Sequence, residues 1–69
     1  MPDHVYKVID LVGTSETSIS KAIERAISKA GETVRQLGWF EVTQIRGHIE
    51  GGEIDNYQVT LKAGFRLED

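Results

Sequence analysis

No cysteine occurs anywhere in the chain, so no disulfide can brace it. The same absence weakens the case for zinc: His4 and His48 are the only soft ligands left, and neither has a partner at ligand spacing. No apolar run approaches the ~20 residues that a membrane helix needs, and the opening MPDHVYK lacks the apolar core of a signal peptide. These absences predict a cytoplasmic chain with no membrane partner and no metal site. A surplus of positive charge is missing too, with 8 Lys and Arg against 11 Asp and Glu and a net charge of −3. Nucleic-acid binding needs cations to displace counterions, so this balance argues against a nucleic-acid partner.

Length is also short, at 69 residues. The expectation is one domain spanning 1–69, with no linker, repeat or low-complexity tract. A chain of this size buries only about 60% of the surface that its unfolded form exposes. Small scaffolds compensate with disulfides, a metal or association. With the first excluded and the second unsupported, self-association is what remains.

What is present reads as β-α-β-β. HVYKVIDLVG, from His4 to Gly13, is rich in Val and Ile and stops at a glycine, as a strand does. TSETS follows, where Thr14, Ser15 or Thr17 is a candidate N-cap. Ile19, Ala22, Ile23, Ala26, Ile27, Ala30, Thr33, Val34 and Leu37 then recur at three- and four-residue spacing. This pattern predicts one amphipathic helix from Glu16 to Leu37, interrupted at Gly31 and ended by Gly38 in the left-handed C′ position. The last strand alternates almost without a break: Tyr57, Val59, Leu61, Ala63, Phe65 and Leu67 face one way. The strand before it changes phase between Phe40/Val42 and Ile45/Ile49, which a bulge near Thr43–Gln44 reconciles. A helical return makes strands one and two co-directional, so strand three lies between them. The predicted fold class is α+β, with a three-stranded antiparallel sheet of order 1-3-2 curled around the helix.

Two strands of this length, each about 40 Å, outrun a helix of about 33 Å. That helix also covers only one face. The opposite face, carrying Arg46, His48, Gln58, Lys62 and Arg66, is left bare together with two sheet edges. Either solvent or another copy covers it, and the overhang favours another copy.

The chain's only tryptophan stands beside a phenylalanine in GWFEVTQIRG. Adjacent strand residues point to opposite faces, so with Phe40 under the helix Trp39 turns to the bare one. A three-residue turn at Gly51-Gly52-Glu53 then sets Arg46 across from Gln58. An aromatic plane, a guanidinium and an amide on one surface suit a planar heteroaromatic ligand with a polar edge. The plainer reading, that Trp39 caps the core or fills a subunit interface, stays open on residues alone.

GTS at 13–15, WFEV at 39–42, IRG at 45–47, YQV at 57–59 and GFRLE at 64–68 resemble the dodecin family, in order and along essentially the whole chain. The resemblance implies a flavin-binding subunit of a hollow homododecamer that stores and photoprotects FMN or riboflavin, with no catalytic residues. It implies that Trp39 stacks on the isoalloxazine, with two symmetry-related tryptophans enclosing a pair of flavins. It further implies that Gln58 bonds the pyrimidine edge and that Arg46 lies beside the flavin. Some relatives also bind coenzyme A. Lys62 and Arg66 would favour a phosphate, hence FMN. Gly38 departs from the Asp or Asn often found there.

Two rivals stand beside this reading. Loss of Met1 would expose Pro2 as the general base of a small oligomeric tautomerase, although PDH is polar for a buried catalytic start. A single-strand nucleic-acid binder stacking bases on Trp39 is opposed by the negative charge.

Overall fold

The computed structural model describes residues 3–67. Pro2, on which the tautomerase reading rests, and Glu68, the last residue of GFRLE, lie outside them. Four elements follow in order: β1 (Tyr6–Ser15), α1 (Ile19–Gly31), β2 (Leu37–Glu50) and β3 (Glu53–Arg66). The sheet runs β1-β3-β2 with both pairings antiparallel, the architecture expected from the alternation.

The helix is shorter than its periodicity predicts, ending at Gly31 after 13 residues. Thr33, Val34 and Leu37 keep the apolar spacing without being helical. After Gly31, Val34 N–H still bonds back four residues, donating to the Ala30 carbonyl at 2.9 Å, while Glu32 and Thr33 N–H bond back three. Gln36 then takes a left-handed backbone, φ 65°, and its carbonyl accepts from Arg66 N–H at 3.0 Å. That bond swings the chain onto β3 and starts β2 early. Gly38 is therefore no helix C′ residue: it is an unpaired strand residue between the Leu37–Phe65 and Trp39–Gly64 pairs. The N-cap is also different from the three candidates. Ser18 caps, its hydroxyl accepting from Lys21 N–H at 3.0 Å, while Ser15 Oγ accepts from the Thr17 and Ser18 N–H groups of the preceding turn.

The helix meets the sheet through alanines. Ala22 and Ala26 pack on Val59 and Leu61, with Leu11, Ile23, Ile27 and Val42 partly buried around them. A Cβ on Gly13 would collide with the Ala22 carbonyl, so the backbones approach closely here. Small residues bring α1 down over β1 and β3 but leave most of β2 beyond its reach. Ile45 and Ile49 of β2, and Ile54 where β3 begins opposite them, are each more than half exposed in consequence, and Phe40 beside α1 is half exposed.

The molecule measures 54 × 21 × 15 Å, whereas a 13-residue helix is only about 20 Å long. The overhang is thus larger than the sequence suggested. Its accessible surface is 5221 Å², against about 4,300 Å² for a typical monomer of this mass.

At the tip of the hairpin Glu50 pairs with Glu53, so the turn has two residues rather than three. Gly51 and Gly52 have φ of 61° and 77°, the pair of left-handed conformations that such a turn needs. The extra residue lies one step further on. His48 pairs with Asn56 and Ile49 with Ile54, leaving Asp55 as a bulge. Arg46 opposes Gln58 as expected, because the bulge replaces the third turn residue. The bulge at Thr43 is also present, and its hydroxyl donates to the Thr60 carbonyl at 3.2 Å.

Leu61 is fully buried beneath α1. Leu61→Ala is expected to cost about 2–5 kcal/mol, read as a shift in the chemical-denaturation midpoint. A cost well below 1 kcal/mol would contradict this assignment of the core.

Candidate functional site

Val59, Leu61 and Ala63 point to the helix, so their neighbours on β3 point away from it. That outer face carries Gln58, Thr60, Lys62, Gly64 and Arg66. Across it lie Tyr6, Val8, Asp10, Val12 and Thr14 of β1, and Trp39, Glu41, Gln44 and Arg46 of β2. Trp39, Arg46 and Gln58 therefore share one face, and it is the face no helix covers.

Trp39 owes its posture to a glycine. It pairs with Gly64 across the strands, and a Cβ built on Gly64 would fall among the indole carbons. The ring thus lies over the bare backbone at this point. Tyr6 supports it from β1, with ring centroids 6.1 Å apart and planes at 54°. The indole remains 42% exposed, which is high for the largest apolar side chain in the molecule. Sequence reasoning passed over both supports. A glycine inside an otherwise regular strand was the available signal, since it often marks a close approach.

Arg46 and Gln58 do come together, as a cross-strand pair. The Arg46 guanidinium donates to Gln44 Oε1 at 2.9 Å. Gln58 Nε2 donates to Asn56 Oδ1 at 3.3 Å, in a part-buried bond. The three groups share one surface, as expected, but Trp39 stands apart from the other two along it. Gly64, beneath the indole, and Gln58 are six residues apart on β3, roughly 20 Å at the strand rise. A ring stacked on Trp39 does not reach Gln58 of the same chain.

Lys62 is engaged, its ammonium 2.9 Å from Asp10 Oδ1 across the strands. Among the described residues Arg66 makes no ion pair, so the two basic residues on this face are not equivalent. Among the described residues, no group of three or more His, Cys, Asp or Glu side chains is gathered as for a metal ion. No helix there is long and apolar enough to cross a membrane.

Fold and face together define a small α+β subunit whose open sheet displays an aromatic, a guanidinium and an amide. The chain belongs to the dodecin family, whose model matches residues 5–68. It is 51% identical over 65 residues to dodecin from Thermus thermophilus, covering 94% of each chain. The structure of dodecin from Streptomyces coelicolor superposes with a TM-score of 0.93 at 49% identity, covering 100% of this chain and 99% of that one. A more distant likeness is calcium dodecin from Mycobacterium tuberculosis, described as calcium-chelating, with a TM-score of 0.80 at 32% identity and coverage of 93% and 91%.

Gly64→Ala is expected to lift the indole off β3. The near-ultraviolet circular dichroism of Trp39 should change while the far-ultraviolet spectrum stays native; an unaltered indole signal would contradict the contact.

Proposed function

We propose that this chain is a non-catalytic flavin-binding subunit, which stores and photoprotects FMN or riboflavin at sites completed only between copies in a homododecamer. One observation carries the reading: Trp39 and the Arg46–Gln58 pair share an uncovered face yet stand about 20 Å apart along it. One chain cannot offer both stacking and edge hydrogen bonds to a single ring. Two chains can, when their outer faces meet so that the indole of one lies near the amide of the other.

The exposed aliphatic surface fits the same picture. Ile45, Ile49 and Ile54 form an apolar stretch past the helix, and Phe40 stays half exposed beside α1; both cost free energy in water and are relieved by another copy. Stacking on an indole suits a broad apolar ring. Gln58 supplies an acceptor for the imide N–H of the pyrimidine edge. An indole is also an electron donor, so stacking quenches a photoexcited flavin before it sensitises oxygen. Sequestration of that kind needs no turnover. Arg66 favours the phosphate of FMN over neutral riboflavin, since Asp10 already offsets the charge of Lys62.

Titration of riboflavin and FMN fluorescence, paired with the mass of the native particle, tests this. Folded oligomer should quench both flavins. Trp39→Ala is expected to lose about tenfold or more in affinity, and Gln58→Ala about fivefold, one hydrogen bond's worth. Full flavin fluorescence beside excess folded oligomer would overturn the reading. Ile49→Glu should break up the particle and abolish binding with it, although it touches neither Trp39 nor Gln58. A dissociated Ile49→Glu chain that still quenched flavin would refute the division of the site between copies.

A further inference from the structure

Gln58 stands at the end of a hydrogen-bonded relay that continues away from the site. Its Nε2 donates to Asn56 Oδ1 at 3.3 Å, and Asn56 Nδ2 donates to Asp55 Oδ2 at 3.0 Å. His48 Nδ1 meets the same carboxylate oxygen at 3.3 Å from β2. Neighbouring residues on a regular strand point to opposite faces, so Asp55 and Asn56 should not be able to serve one line. The bulge at Asp55 removes that obstacle by re-aiming its side chain beside Asn56 and His48.

From this geometry we infer that Asp55, through Asn56, is a positioning residue that fixes which end of the Gln58 amide faces the ligand, and so selects rings bearing an imide N–H. The argument is one of polarity. An ionised carboxylate only accepts, so Asn56 must turn its NH₂ to Asp55. That leaves Asn56 Oδ1 facing Gln58, which must answer with its own NH₂. Gln58 Oε1 is the group left over, presented as an acceptor. Either amide alone could flip at little cost. The single charge at Asp55 removes the ambiguity from both. His48 adds a second donor to the carboxylate and requires a hydrogen on Nδ1, which holds Asp55 against β2. The bonds at Asp55 are exposed, while the one next to Gln58 is part-buried. Most of the benefit is therefore orientation delivered to Gln58.

This rests on the flavin-binding reading, and the experiment keeps the two apart. Riboflavin and riboflavin methylated at its imide nitrogen are titrated into intact oligomers by fluorescence quenching. Wild-type protein should prefer riboflavin, because the methyl group blocks the bond to Gln58 Oε1. Asp55→Asn, which can donate as well as accept, should shrink that preference by about three- to tenfold. Combining Asp55→Asn with Asn56→Asp moves the carboxylate one link along the relay and should restore it. A preference unchanged in Asp55→Asn, or lost further in the double variant, would overturn the relay. If Trp39→Ala binds riboflavin as wild type does, the flavin reading falls instead.

Discussion

One helix of 13 residues has to serve a hairpin whose strands each have 14, and it does not reach. A helix rises about 1.5 Å per residue and a strand more than twice that, so the disparity in length is greater than the disparity in residue count. The helix contacts β1 and β3, where Gly13 and the alanines of α1 permit close approach, and β2 receives almost none of its cover. Two uncovered regions follow: the aliphatic overhang beside α1 and the whole face on the other side of the sheet. Neither could be mended by a better core, because there are too few residues to build a second layer. Such a shape is what the proposed association would relieve.

Against that background the outer face is ordered by two local devices rather than by burial. At one end a missing side chain on Gly64 lets the indole of Trp39 lie down, with Tyr6 bracing it. At the other end a bulge turns Asp55 toward its neighbours and gives direction to a row of amides ending at Gln58. Preorganisation of this kind matters where side chains are half exposed, since each would otherwise sample several rotamers and lose entropy on binding. Both devices use irregularities of the strands. The regular parts of the sheet only set their spacing.

The topology was legible because β3 alternates without interruption, and period-two patterning specifies both the strand and its buried side. Alternation on β2, with Phe40 on the helix side, likewise implied that Trp39 lies on the far face. The helix end was not legible. Thr33, Val34 and Leu37 continue the apolar period, but a left-handed Gln36 held by Arg66 N–H intervenes, and nothing local announces that long-range bond. The Gly51–Gly52 turn was miscounted by one residue, and the Asp55 bulge restored the register, so Arg46 still opposed Gln58. The sharing of the face was legible, whereas the sequence pattern named no distance along it. Facing depends on parity, whereas proximity depends on counting residues through turns and bulges.

A site divided between copies makes ligand binding and association a single equilibrium. Under the proposal, a flavin held by Trp39 of one copy and Gln58 of another would find nothing comparable on the separated chain. It therefore adds its binding free energy to the assembly, growing with the logarithm of ligand concentration above the dissociation constant. On the proposed reading the aliphatic overhang supplies the rest of the association free energy. That division assigns distinct work to the two uncovered regions. In the proposed assembly Ile45, Ile49 and Ile54, all exposed, would act through area and need little angular accuracy, whereas the outer face would act through a few oriented groups and need much. Substitutions in the first region should thus be felt as changes in particle mass, and those in the second as changes in which rings are held.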